Sequence, residues 1–361
     1  MLKYSFLILL FASCNTPKAT EQLLKVPTNK QKELISSKIK ALPDGTQFAI
    51  GLIHNGEVFY YGVKLKDQSV RAETNYNKVF EIGSITKLFT STLLASFALE
   101  NKLKLDDPIS TYLGFDLNKG TRISFKQLAN HTSGLPRLPS NLNPEINPEN
   151  PYSTYNTSML KEYLTSELEV STNNGVHYEY SNIGFGMLGY SLCEIANANY
   201  EKLLQEKICS RYGMHNTTTN RKKVEKLLVR GLNAAGNETT NWDLASMVGA
   251  GGILSTVEDL AKFAIAQFDI DNKALTLTRK NTFTINHISD IGLGWEIIKR
   301  RSGDTWYKHN GGTGGYSSSI IVDTDHKNGI IILTNVSGYN PKRNSIDDLS
   351  FELMKTIPKN K

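Results

Sequence analysis

Asn55-Gly56 stands between two runs of strand-forming residues, 47–54 and 57–64. Asn-Gly is the strongest short hairpin signal, because both central positions of a tight type I′ turn need positive φ. A second hairpin pattern lies near the other end of the chain, where 316–322 and 329–334 flank the turn-rich 323–328, and further strands are read at 293–299 and 305–309. An isolated hairpin is marginal in water. Strands at both ends therefore predict one antiparallel sheet. The intervening residues are mainly helical or loop, so the expected class is α+β, an α/β sandwich: a sheet built from both chain ends, a helical subdomain at about 76–240 inserted between them, and a cleft at the junction. A lysine-rich amphipathic helix is read at 31–42 and a closing helix at 346–357. The stretch 141–157 is crowded with Asn, Pro and Tyr and lacks periodicity, which marks a long surface loop of the kind that shapes a site.

The first residues bear on the compartment. Lys3, the apolar run 6–11, then Ala12 and Ser13 directly before Cys14 have the layout of a short secretory signal. The run is too short to span a bilayer as a mature helix. Cys14 after small residues is similar to a bacterial lipoprotein box, with Phe11 in the place of the usual leucine. The expectation is a signal peptide at 1–13, lipidation of Cys14, a tether at 14–30 and a catalytic domain at 31–361, on a lipoprotein that faces the periplasm from a bacterial membrane. Cys193 and Cys209 then remain, in apolar helix-like stretches. Buried free thiols are the default for such residues, with a disulfide the alternative in an oxidising compartment.

The 361 residues are 39% apolar, enough for a packed core. The formal charge of +6 is spread along the chain, and its densest clusters, Arg221-Lys222-Lys223 and Lys299-Arg300-Arg301, read as solvated surface. No nucleic-acid partner is expected. Nor does any Cys and His spacing resemble a metal site.

Three segments carry chemistry. In the first, apolar residues at Ile85, Leu88, Phe89, Leu93, Leu94 and Phe97 recur with helical spacing after Gly83-Ser84. Lys87 projects from the same face as Ser84, within reach of its hydroxyl. A lysine can serve as base to a serine only if desolvation or a neighbouring cation lowers its pKa, and an apolar helix supplies the first condition. By itself the spacing equally fits a helix-capping serine and a snorkelling surface lysine. The second segment, Tyr180-Ser181-Asn182, precedes a helix, and residues two apart there can point into one cleft. A phenol beside a lysine can relay a proton, and an amide can bridge lysine and a substrate carbonyl. The third, His309-Asn310-Gly311-Gly312-Thr313-Gly314-Gly315-Tyr316, is a glycine-rich strand edge that lets a substrate approach the backbone. Alone it also fits a flexible turn.

In this order the three segments resemble the penicillin-recognising serine hydrolases, specifically the class C β-lactamase branch with its DD-peptidase and esterase relatives. Further matches are Leu103-Lys104-Leu105-Asp106-Asp107-Pro108, Leu128 with His131-Thr132-Ser133-Gly134-Leu135-Pro136, and Gly249-Ala250-Gly251-Gly252-Ile253-Leu254-Ser255-Thr256. The resemblance covers residues 45–337. It implies Ser84 as nucleophile, Lys87 and Tyr180 as general base and acid, and Asn182 as the orienting amide. The N–H groups of Ser84 and Gly312 are implied as the oxyanion hole, with His309 and Gly311 among the substrate-binding residues.

One departure is His309, where β-lactamases of this kind have a lysine that helps hold the substrate carboxylate. A histidine of ordinary pKa, ~6.5, is mostly neutral at pH 7. Histidine here also occurs among DD-carboxypeptidase relatives. The expected activity is therefore that of a D-alanyl-D-alanine carboxypeptidase or endopeptidase on peptidoglycan peptides, with a β-lactamase and then a small-ester esterase as alternatives. A non-catalytic penicillin sensor is disfavoured, since Ser84, Lys87 and Tyr180 all stand. No cofactor is expected; the partners are a peptide or β-lactam substrate and a membrane reached only through the lipid, and the chain is read as a monomer. Arg137 is read as a surface arginine, with a cation for the cleft as the alternative, and His131 as a structural hydrogen-bonding residue. The glycines from Gly184 to Gly189 match a dinucleotide-binding pattern but follow no buried strand, so close helix packing is expected of them. Ser255-Thr256-Val257-Glu258 reads as a capping box.

Overall fold

The computed structural model describes residues 27–172 and 174–359. The expected leader at 1–13, Cys14 and most of the tether lie outside the described residues.

Nine strands form one antiparallel sheet, ordered Ser69–Ala72, Glu57–Lys66, Gln47–His54, Asn328–Thr334, Ser317–Asp323, Thr305–Gly312, Glu296–Lys299, Ser289–Ile291 and Phe283–Asn286. The two chain ends meet at its centre, where Gln47–His54 pairs with Asn328–Thr334. Asn55 and Gly56 both take positive φ, as a type I′ turn requires. Three short strands, Ser69–Ala72, Ser289–Ile291 and Phe283–Asn286, widen the edges of the sheet. Their few residues give no legible alternation, so the sequence does not announce them.

The sheet is covered on both faces, which is why its central strands are apolar at successive positions. Phe48, Ile50, Leu52, Ile330 and Ile332 face the helices Asn29–Ile39 and Asn344–Met354. Ala49, Ile53, Ile331 and Leu333 face the helical part, including Val257–Ala266 and Thr86–Leu99. Phe89 and Phe263 stack across those two helices at 4.5 Å. The first helix begins at Asn29, ahead of the expected 31, because Thr28 and Gln31 make a reciprocal capping box. Val257–Ala266 is capped by Thr256, which accepts from the Asp259 N–H; Ser255, expected to share in that box, bonds Thr217 instead. The segment 141–157 carries only a short helical turn, Pro144–Ile146, before the next helix begins at Thr157. Helical elements continue to Lys273–Arg279. The glycine-rich 184–189 lies inside the helix Asn182–Ala196, where a Cβ on Gly189 would come within 3.0 Å of the Gly249 backbone. Cys193 and Cys209 are free thiols, the first partly exposed and the second buried, and burial pushes both to about 12.

Candidate active site

Ser84 sits in one tight turn, Gly83–Ile85, that runs directly into the helix Thr86–Leu99. The turn is wedged against the end of strand Thr305–Gly312. Gly83 has φ +49°, and a Cβ there would stand 2.7 Å from the Gly312 amide nitrogen; a Cβ on Gly311 would stand 2.1 Å from the Ile82 carbonyl oxygen. Only glycine permits that approach. Ser318 locks it by donating to the same Ile82 carbonyl at 2.8 Å. The Gly312 amide is thus held beside Ser84, as an oxyanion hole requires.

The Ser84 hydroxyl caps no helix. It meets Lys87 Nζ at 3.0 Å and accepts from the Tyr180 phenol at 2.8 Å. Lys87 is fully buried and does not snorkel. Burial first, and the nearby Arg137 second, hold its amine well below the usual lysine range. Nζ also donates to Asn182 Oδ1 at 2.9 Å and to the Ala250 carbonyl at 2.7 Å. A neutral amine has two N–H donors and one lone pair. Those two acceptors use both donors, so the lone pair faces the Ser84 hydroxyl. Burial pushes Tyr180 up to about 12, with its bond to Ser84 and the Arg137 charge opposing. Burial thus favours the protonated form of the phenol and the neutral form of the amine.

Tyr180 and Asn182 do share one cleft. Ser181 between them accepts from the Gly184 N–H and donates to the Pro136 carbonyl, while the Asn182 N–H donates to the Arg137 carbonyl. The Ser181 N–H donates to His131 Nδ1 at 3.1 Å. His131 is structural, as expected: burial holds its pKa well below normal, and its ring lies tilted against Tyr180 with the centroids 4.4 Å apart.

His309 and Arg137 complete the surroundings. His309 does not present a titratable cation to the cleft: it is 8% exposed and its Nδ1–H donates to the Asn310 carbonyl at 2.6 Å. Burial, aided by Lys87, lowers its pKa to about 3. Arg137, read as surface, is exposed and also borders the cleft, its guanidinium 5.1 Å from the Tyr180 ring centroid. The cleft, about 340 Å³, is lined by Ser84, Tyr180, Asn182 and Gly312 together with Arg137 and Arg343. Sequence reasoning missed Arg343, which arrives with the C-terminal segment, and the Ala250 carbonyl, although the 249–256 segment had stood out. Thr90 donates to the Gly249 carbonyl and Thr86 accepts from the Ile253 N–H, which fixes Ala250 over Lys87. Among the described residues no group of three or more His, Cys, Asp or Glu side chains is placed to hold a metal ion.

A serine in hydrogen-bond reach of a neutral lysine and a protonated tyrosine, under a backbone N–H at a strand end, has the parts of a serine hydrolase. The β-lactamase family model matches residues 36–355. The chain belongs to the β-lactamase family, whose members are serine hydrolases. Over 354 residues it is 24% identical to a β-lactamase of Pseudomonas fluorescens, covering 86% of this chain and 95% of that one. It is 26% identical over 324 residues to the D-alanyl-D-alanine-carboxypeptidase/endopeptidase AmpH of Escherichia coli K12, covering 82% of each. A solved class C β-lactamase superposes with a TM-score of 0.77 at 22% identity, over 94% of this chain and 99% of that one, a likeness of fold.

Proposed function

We propose that the protein is a D-alanyl-D-alanine carboxypeptidase or endopeptidase that acts on peptidoglycan peptides through an acyl-enzyme on Ser84. The contact set around the Ser84 hydroxyl carries this reading. Lys87 takes the hydroxyl proton as Oγ attacks the penultimate carbonyl. The N–H groups of Ser84 and Gly312 receive the developing oxyanion, and Asn182 orients the substrate amide. Tyr180 gives its proton to the departing amine and recovers one from Lys87. Water, activated by the same pair, then cleaves the ester and frees the shortened peptide. Arg137 and Arg343 give the cleft two cations suited to a peptide's terminal carboxylate, and the AmpH relative acts on this substrate class by name.

A second reading, a β-lactamase, uses the same acylation and is favoured by the Pseudomonas fluorescens relative. Mass spectrometry after incubation with a penicillin, alongside turnover of a D-Ala-D-Ala peptide, separates them. Peptide turnover with a lasting penicillin adduct on Ser84 supports the peptidase; rapid penicillin turnover without peptide cleavage supports the lactamase.

We further propose that the chain works as a monomer in the cell envelope, facing the periplasm, held by a lipid on Cys14 after removal of 1–13. The small residues before Cys14 support this. Globomycin, or Cys14→Ser, is expected to block the detergent-partitioning form; an unchanged soluble product would defeat the anchor.

A further inference from the structure

Glu81 lies three residues before Ser84, in the short strand Phe80–Glu81 that pairs with Leu254–Ser255. It is 4% exposed and does not itself line the cleft. Its Oε1 accepts from the Trp242 backbone N–H and from Asn241 Nδ2, each at 2.8 Å. Asn241 Nδ2 also donates to the Tyr316 phenol at 2.9 Å, and that phenol donates to the Val229 carbonyl at 2.5 Å. Both hydrogens of the amide are thus used. On its other side the carboxyl meets the Thr313 hydroxyl: Glu81 Oε2 and Thr313 Oγ1 are both buried, neither has another hydrogen-bond partner, and the hydroxyl favours the charged form of the carboxyl. Burial raises the Glu81 pKa, while Thr313, Asn241, the Trp242 N–H and the Arg221 charge oppose that rise. Arg221 makes its ion pair with Asp243, at 2.6 Å.

Trp242 and Thr313 both line the cleft with Ser84 and Gly312. The Trp242 indole lies over the end of the oxyanion strand, where a Cβ on Gly314 would stand 2.6 Å from Nε1. From outside, the same segment is held by Asn150, which donates to Asp243 Oδ2 at 2.9 Å and accepts from the Asp243 N–H at 2.7 Å. That pair is exposed, where water competes for it; the tie to Glu81 is sheltered. Three segments distant in the chain, 81–84, 241–242 and 312–313, therefore meet around one carboxyl. We propose that Glu81 is a positioning residue for acylation: through the reach of its two oxygens it fixes the Trp242 wall and the Thr313 end of the oxyanion strand relative to the turn that carries Ser84. The proposal rests on Ser84 as nucleophile. Reach matters more than charge, because the groups that touch the carboxyl are neutral N–H and O–H donors, which an amide in the same place also satisfies.

Two conservative variants separate reach from charge. Glu81→Gln keeps the reach and removes the charge; Glu81→Asp keeps the charge and draws the oxygens back by one methylene. Each is compared with wild type, below its own melting temperature, by kcat/KM for para-nitrophenyl acetate and by the rate of fluorophosphonate labelling at Ser84. Glu81→Gln is expected to stay close to wild type. Glu81→Asp should lose up to about 10²-fold in both, the cost of a misplacement near ~1 Å. Asn241→Ala, which breaks the same tie from the wall side, should slow both in the same direction. Tryptophan emission gives a second readout, since Trp295 and Trp306 are 0% and 3% exposed while Trp242 is more open. Glu81→Asp should shift the emission, Glu81→Gln should not, and Trp242→Phe should abolish the shift. A folded Glu81→Asp or Asn241→Ala with wild-type kinetics and emission would overturn the proposal and leave Ser84 standing. Loss of activity in Glu81→Gln, whatever Glu81→Asp does, would overturn it too, by assigning the role to charge. Wild type with neither labelling nor hydrolysis would overturn both this proposal and Ser84 as nucleophile.

Discussion

Lys87 Nζ donates to the backbone carbonyl of Ala250 at 2.7 Å. With Asn182 Oδ1 this carbonyl occupies both N–H groups of a neutral amine, and so aims the lone pair at Ser84. The base is defined by what surrounds the lysine as much as by the lysine.

Lys87→Met tests that arrangement, since methionine fills similar space without a proton-accepting nitrogen. Acylation by a fluorophosphonate or a penicillin should slow by roughly 10²–10⁴-fold, the usual contribution of a positioned base. The buried Ala250 carbonyl and the part-buried Asn182 amide oxygen lose a donor, at a cost of about 1–3 kcal/mol for the buried one, which a thermal melt reads. A variant that acylates at the wild-type rate would remove Lys87 from the mechanism.

The neighbouring Arg137 helps keep Lys87 unprotonated, because two cations repel. Activity needs the neutral amine, so kcat/KM should fall as pH drops through the Lys87 pKa. Removing Arg137 raises that pKa. The acid limb of Arg137→Ala should therefore move to higher pH, measured with a neutral ester so that no substrate carboxylate titrates. An acid limb that stays put, or moves down, contradicts the coupling.

His309 bears on stability rather than on substrate charge. Its folded pKa, about 3, lies below that of an unfolded histidine, ~6.5, and burial shifts His131 in the same direction. Between those values the unfolded chain binds more protons, so stability is intact above about pH 6.5 and erodes as pH falls from there toward the folded pKa. His309→Gln should flatten part of that slope in melts across the acid range. In the wild type, KM for a carboxylate substrate should show no histidine step between about pH 5.5 and 8.5; a step that His309→Gln abolishes would restore the carboxylate role.

Arg343 borders the cleft partly open to solvent, where an ion pair is worth at most ~1 kcal/mol. Arg343→Ala should raise KM for a D-Ala-D-Ala peptide by up to about fivefold, leave a neutral ester unaffected, and lose its effect as salt is added. Equal changes for peptide and ester would point to a general distortion of the cleft.

That Ser84 pairs with Lys87, and Tyr180 with Asn182, is legible from local geometry, while the resemblance of the three segments to the penicillin-recognising hydrolases is what marks them as the site. Residues three apart on a helix, or two apart in a turn, share a face wherever the element is placed. The hairpin at Asn55-Gly56 is legible for the same reason: its turn needs two positive φ values, and the residues that tolerate them are adjacent. The edge strands at 69–72, 283–286 and 289–291 are too short to show a period, and they exist through pairing with neighbours already in the sheet.

By itself the sequence determined which side chains could react, where the longer strands lie, and that both chain ends share one sheet. Only the tertiary structure decided which of those side chains carries a proton and which faces a substrate. Charge state depends on desolvation and on charges brought near from distant segments: Phe185, Ala250 and Arg137 surround Lys87, while burial silences His309. Arg343 reaches the cleft from the C-terminal segment, far from Ser84 along the chain. Contacts of that range follow from packing, and no local pattern of residues encodes them.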